Sequence, residues 1–239
     1  LEEQGIGFNV DVAVVPLVAA AVLFDLTIGR PDVRPGPEAG YAACQAATDG
    51  PVAEGCIGAG TGATVGKLLG PQLATKSGLG SAARHIAGDI TVGALVAVNA
   101  FGDVVDPATG KLIAGTRNPN GQGFVNTMER LHGELDQTML GFPCNTTLAV
   151  VATDALLSKE GANKMAQMAH DGLAQAIRPI HTMVDGDTVF ALATGQQTKV
   201  PVNVSVIGAV AASVLAEAVV RAVNQATLLA TIPAARDLP

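Results

Sequence analysis

The sequence predicts a mixed α and β fold in which long helices pack on a sheet. Three stretches carry that prediction. Leu148-Ala149-Val150-Val151-Ala152 is an unbroken apolar run of strand length. Met165, Met168, Ala169, Leu173 and Ile177 recur at helical spacing. Val204 to Ala226 is a long apolar stretch with Val206, Val210, Val214, Leu215 and Val219 on a broad face. A helix of that kind is stabilised by packing on a sheet.

Composition agrees. The 239 residues are 49% hydrophobic, yet there is one Tyr, six Phe and no Trp. The core is therefore built from Ala, Val, Leu and Ile, and 28 glycines favour close layers and tight turns. A net charge of −7 with 14 basic residues, none of them in a block, argues against nucleic acid as a partner. Cys44, Cys56 and Cys144 leave at least one thiol unpaired and show no C-x-x-C spacing. A reducing compartment, the cytoplasm, is expected. No signal peptide opens the chain. It begins Leu1-Glu2-Glu3-Gln4 without Met, so a fragment or a processed product is expected.

Taken in order, Val12 to Leu26 is apolar but interrupted by Pro16. It is too short for a membrane span, and its valines predict a buried strand, with an Ala-rich helix as the alternative. Pro37 and Glu38 open a short helix over Ala39 to Ala47. Gly55 to Gly70 reads GCIGAGTGATVGKLLG. A phosphate loop requires glycine at position 61, where Thr61 stands, and Ser or Thr where Leu68 stands, so nucleotide binding is not expected. On its own, Lys67 reads as a surface lysine.

Gly78–Ile86 and Ile90–Asn99 read as adjacent strands, and Thr109-Gly110 as the turn of a further strand pair. Asn99 caps or turns the chain, or offers its side-chain amide to an oxyanion. Gly115 to Cys144 is the candidate linker, with a short helix near Val125 to Leu131. Ser158 caps the helix that follows the Leu148 strand, and Arg178-Pro179 ends that helix. Asp185-Gly186-Asp187 forms a turn, a calcium site or a carboxylate pair beside a nucleophile, and the strand Thr188 to Ala193 follows. Glu217 and Arg221 are spaced as an i,i+4 pair, which argues against a membrane span for the last helix.

Asn145-Thr146-Thr147 sits where the linker meets the strand. It reads as a turn or strand start, as an N-glycosylation acceptor in a secreted protein, or as a self-cleavage site. Scission before Thr146 would leave a hydroxyl and an α-amine on one residue, the α-amine having an ordinary pKa near neutrality.

Together these segments resemble the DmpA family, the L-aminopeptidase/D-esterase group of self-processing N-terminal-nucleophile hydrolases. The group includes β-peptidyl aminopeptidases and nylon-oligomer hydrolases. The resemblance lies in LEEQGIGF at the start, the Val14–Leu26 run ending FDL, GAGTGATVGK at Gly58–Lys67 and the strand end at Asn99. NTTLAVVATDA at Asn145–Ala155 and RPIHTMVDGDTVFALATG at Arg178–Gly195 are the most specific.

The resemblance implies a four-layer αββα sandwich and scission between Asn145 and Thr146. It makes residues 1–145 an α-chain portion and 146–239 a β-chain portion of one domain. Thr146 would be the nucleophile and Asn99 the oxyanion donor. Asp185 and Asp187 would orient the amine and the hydroxyl or receive a substrate amine, and Lys67 would steady charge or tune Thr146. Aminopeptidase members carry a serine and a glutamate where Asp185 and Asp187 stand. The threonine nucleophile resembles the nylon-hydrolase and pantetheine-cleaving branches. Family members also have a longer segment before the LEEQG-like start. The resemblance further implies a homo-oligomer acting on small peptides, amides or esters, with its own cleaved chains as partners.

No metal or cofactor is expected, since His85, His132, His170 and His181 lack ligand spacing. A non-catalytic structural or binding homologue with the same fold remains the alternative.

Overall fold

The structure is a computed structural model, and it describes residues 1–87, 89–133, 145–197 and 203–238. Its centre is a four-stranded sheet. The strands are β1 (Leu79–Ile86), β2 (Ile90–Asn99), β3 (Thr146–Ala155) and β4 (Thr188–Gln197), in the spatial order β4-β3-β2-β1. β1 and β2 are antiparallel, as are β2 and β3, whereas β3 and β4 run parallel. The parallel pair requires a crossover. Helix α1 (Lys159–Ala176) lies on it and packs against helix α2 (Val204–Gln225).

Both helices form on local grounds. The Ser158 side chain accepts from Gly161 N and caps α1, and Asn203 accepts from Ser205 N and caps α2. Val92, Val96, Val98, Ala149 and Val151 point to the helical side of the sheet and are buried against Met165, Leu173, Val214, Leu215 and Val219. At about 25 cal/mol per Å² of apolar area, this cluster is the main source of stability. Alternate residues Leu95, Leu148, Val150 and Phe190 lie on the other face and are half-buried. By length and composition α2 could cross a membrane, but 61% of its most apolar window is buried inside the protein.

The small sheets position the site. Ile177–Arg178, directly after α1, pairs with Asp103–Val105, which also pairs with Leu112–Ala114. This ties the 178–187 segment to the chain leaving β2. Asp103, buried inside that sheet, accepts from Thr116 N, Thr127 N and Thr127 Oγ1.

Several expectations need correction. Val12 to Leu26 is not a buried strand: only Val14–Val15 pairs, with Phe8–Asn9, and Val12 and Val22 are 93% and 86% exposed. Apolar composition gave that stretch a burial signal, but no layer of the described chain covers it. Glu217 and Arg221 do not pair with each other. Arg221 binds Glu54 through two nitrogens, and Arg84 binds Glu217. Partners brought by β1 and the segment before it outcompete the exposed helix pair, whose geometry is worth only a few tenths of a kcal/mol, about 0.3–0.5. Within the expected linker, Thr116–Arg117 pairs with Phe124–Val125, and the expected short helix is present at Thr127–His132. The remainder, 134–144, including Cys144, lies outside the described residues.

Candidate active site

Thr146 opens β3 and is 7% exposed. Its cross-strand partner is Asn99, the last residue of β2. On adjacent strands such partners share a sheet face, so the two side chains lie side by side. Asn99 is 1% exposed. Its Oδ1 accepts from Lys67 Nζ at 2.7 Å and from Thr64 N at 3.1 Å, and its Nδ2 donates to Phe24 O at 2.8 Å. Lys67 Nζ also donates to Asn99 O at 3.1 Å.

The glycine-rich stretch delivers Lys67. Gly66 has φ 69°, a left-handed conformation, and a Cβ there would strike Gly115 and Thr116. The turn lets Gly66 N and Lys67 N donate to Gly102 O and Phe101 O, which fastens the lysine beside the end of β2. Lys76, fully buried, braces the same stretch. Its Nζ donates to Gly60 O, Ala63 O and Ser77 O, and burial holds its pKa below the ordinary value. Nothing in the spacing of the sequence marks Lys76.

The Asp185-Gly186-Asp187 turn clamps Asn145 and Thr146 from the other side. Asn145 N and Nδ2 both donate to Val184 O, at 3.2 and 3.0 Å. Gly186 N donates to Asn145 O at 2.8 Å. Asp187 Oδ1 accepts from Thr147 N at 2.8 Å, and its Oδ2 accepts from His181 N at 3.1 Å and lies 2.9 Å from His181 Nδ1. His181 Nε2 lies 3.2 Å from His170 Nδ1, so imidazoles run from the buried Asp187 carboxylate outward. Asp185 Oδ1 accepts from Phe101 N at 3.1 Å, and Oδ2 accepts from Thr182 N and Thr182 Oγ1. Burial pushes the Asp185 carboxyl above its ordinary value, with Asp187 adding to that and the Thr182 and Phe101 donors opposing it. Burial likewise lowers the pKa of His170.

The hydroxyl of Thr146 lies against the peptide it follows, with Oγ1 2.5 Å from Asn145 O. Thus Lys67, Asn99, Asn145, Thr146, Asp185 and Asp187 gather at one end of the sheet. In this uncut arrangement neither carboxylate bonds the Thr146 hydroxyl: each holds backbone around it. A depression of about 560 Å³ opens beside them, bounded by His170, His181, Asp185, Gly186 and Asp187. Among the described residues no group of three or more His, Cys, Asp and Glu side chains could hold a metal ion.

Sequence reasoning passed over Gly186, His170 and His181 as site members. For His181 the signal was available: it stands in the His181-Thr182 pair just before Asp185 and Asp187. His170 comes from a different element, and Gly186 contributes only backbone.

Known proteins resemble this chain in sequence and in fold. Residues 2–237 match the family model of Peptidase family S58. An uncharacterized aminopeptidase of Mycobacterium tuberculosis is 42% identical over all of this chain and 72% of its own length. A 6-aminohexanoate-oligomer endohydrolase of Paenarthrobacter ureafaciens is 30% identical over 86% of this chain and 61% of its own. Among solved structures, the L-aminopeptidase D-Ala-esterase/amidase of Ochrobactrum anthropi, described as a variant of the Ntn hydrolase fold, superposes with TM-score 0.51 at 24% identity, covering 75% of this chain and 47% of that one. A Burkholderia sp. β-aminopeptidase gives TM-score 0.52 at 25% identity, covering 81% and 54%. The chain spans about half the length of these two solved chains. The mixed α/β fold resembles the αββα sandwich of these structural relatives.

Proposed function

The chain belongs to Peptidase family S58, and from that premise we propose that it is a self-cleaving hydrolase whose nucleophile is Thr146, freed by scission of the Asn145–Thr146 bond. The observation that carries this reading is the placement of Thr146 Oγ1 2.5 Å from the carbonyl oxygen of Asn145. The hydroxyl donates to that oxygen and lies beside its own preceding peptide, and the step requires it to turn from the oxygen toward the carbonyl carbon.

After scission, the same hydroxyl attacks an amide or ester carbonyl, and the new α-amine of Thr146 takes the proton, directly or through water. Asn99, beside Thr146 and polarised by Lys67, is the donor for the oxyanion of the bound substrate. Its Nδ2 carries two N–H donors, so it can keep Phe24 O with one and offer the other to the oxyanion. Asp187 fixes Thr147 and with it the direction of the nucleophile. Asp185, with its raised pKa, sits at the edge of the depression where a substrate amine would enter.

The substrates are small peptides, amides or esters. The names of the aminopeptidase and oligomer-hydrolase relatives support amide bonds as the class. A cytoplasmic homo-oligomer without metal or cofactor completes the reading.

The test is a panel of small amides and esters offered to the full-length protein and to its Thr146→Ala variant. Turnover that vanishes with Thr146→Ala supports the reading; turnover that survives unchanged excludes Thr146 as the nucleophile.

A further inference from the structure

We propose that the backbone N–H of Gly186 is the oxyanion donor of the scission step. The proposal rests on the reading of Thr146 as the self-cleaving nucleophile and assigns a catalytic group that reading leaves open. When Oγ adds to the Asn145 carbonyl carbon, negative charge develops on Asn145 O. Gly186 N already donates to that oxygen at 2.8 Å. Such a donor is effective when it is fixed before charge appears, and this one is. Asp185 on one side is held by Phe101 N and Thr182, and Asp187 on the other by Thr147 N and His181.

The side-chain amide of Asn99 gives one of its two N–H donors to Phe24 O, and among the described residues no hydrogen bond joins the other to Asn145 O. Turning the amide over would place its nitrogen against the Lys67 ammonium and the Thr64 N–H. A glycine is also the residue that fits. A Cβ at position 186 would lie 3.2 Å from Thr146 Oγ1 and 3.7 Å from Asn145 O, crowding the attacking hydroxyl.

The chemistry balances. The Oγ–C bond forms, the hydroxyl proton passes to the Thr146 nitrogen, and the C–N bond breaks to leave an ester and a free amine. Water then adds to the ester carbonyl, returning a hydroxyl to Thr146 and a carboxylate to Asn145. The ester is the same kind of species that an amide substrate leaves on Thr146, so Gly186 N–H faces the acyl oxygen in hydrolysis as well.

The experiment follows scission by intact mass in the full-length protein and in Gly186→Pro, which lacks the N–H. If the unsubstituted protein never cuts, the parent reading of Thr146 fails, whatever Gly186 does. If it cuts, folded Gly186→Pro is expected to cut about 100- to 1,000-fold more slowly. Hydroxylamine, which cleaves accumulated esters, is expected not to release the chains, because the block precedes the ester. Scission at the unsubstituted rate, or rapid release by hydroxylamine, overturns the proposal. Should Gly186→Pro fail to fold, hydrogen exchange at Gly186 in uncut Thr146→Ala decides. Slowing of at least about tenfold, the mark of a closed hydrogen bond, is expected, and exchange at the unprotected rate overturns the assignment.

Discussion

The backbone amide of Thr147 donates to Asp187 Oδ1 at 2.8 Å, so the residue next to the nucleophile is held by a carboxylate 40 positions further along the chain. The other oxygen of Asp187 holds His181. Asp187 thus joins the start of β3 to the turn that precedes β4. Replacing it with Ala leaves the buried Thr147 N–H without its acceptor, at about 1–3 kcal/mol, while the exposed His181 N–H turns to water. Asp187→Ala is expected to lower the thermal midpoint and to slow scission at least about tenfold, read by melting curves and timed intact mass.

Lys67 acts through Asn99. Its charge-assisted bond to Asn99 Oδ1 is worth about 1.5–3 kcal/mol, which is about 10- to 100-fold in rate if expressed in the transition state. Lys67→Met is expected to lower kcat by that factor with a smaller change in KM. A change confined to KM would place Lys67 in substrate binding instead.

Gly172 separates stability from chemistry. A Cβ there would meet the backbone of Ala212, where α1 crosses α2. Gly172→Ala is expected to cost about 1–3 kcal/mol of stability through overpacking, while folded protein still cuts after Asn145. Denaturant melts and intact mass on the same samples check both halves.

Asp103 supplies a pH dependence. Burial raises its pKa from 3.8 to about 6 in the folded protein, against the Thr127 and Thr116 donors. Between these values the folded state holds more protons than the unfolded one, so stability is present at low pH and is lost as pH rises through about 6. The loss is on the order of 3 kcal/mol. In the uncut Thr146→Ala background, Asp103→Asn is expected to flatten that slope between about pH 4 and 7 in urea melts.

The helices and the four central strands were legible because their periods are strong and their caps conventional. Ser158 and the 165–177 stripe announce α1, and the apolar run from Leu148 announces β3. Val12 to Leu26 misled because valine content signals burial without saying what does the burying. Glu217 and Arg221 misled because spacing along one helix says nothing of Arg84 and Glu54 on neighbouring elements. Lys67, Asn99, Thr146, Asp185 and Asp187 were legible as a set only through resemblance, since no local period links them. Gly186 was not legible because a backbone amide has no side chain to mark it.

The central claim is that the bond before Thr146 breaks by itself. Intact mass of the purified full-length protein, followed over time without added protease, tests it most directly. Two chains are expected, one beginning at Thr146, and a single uncut chain for Thr146→Ala. A single chain that persists through prolonged incubation of the unsubstituted protein would contradict it.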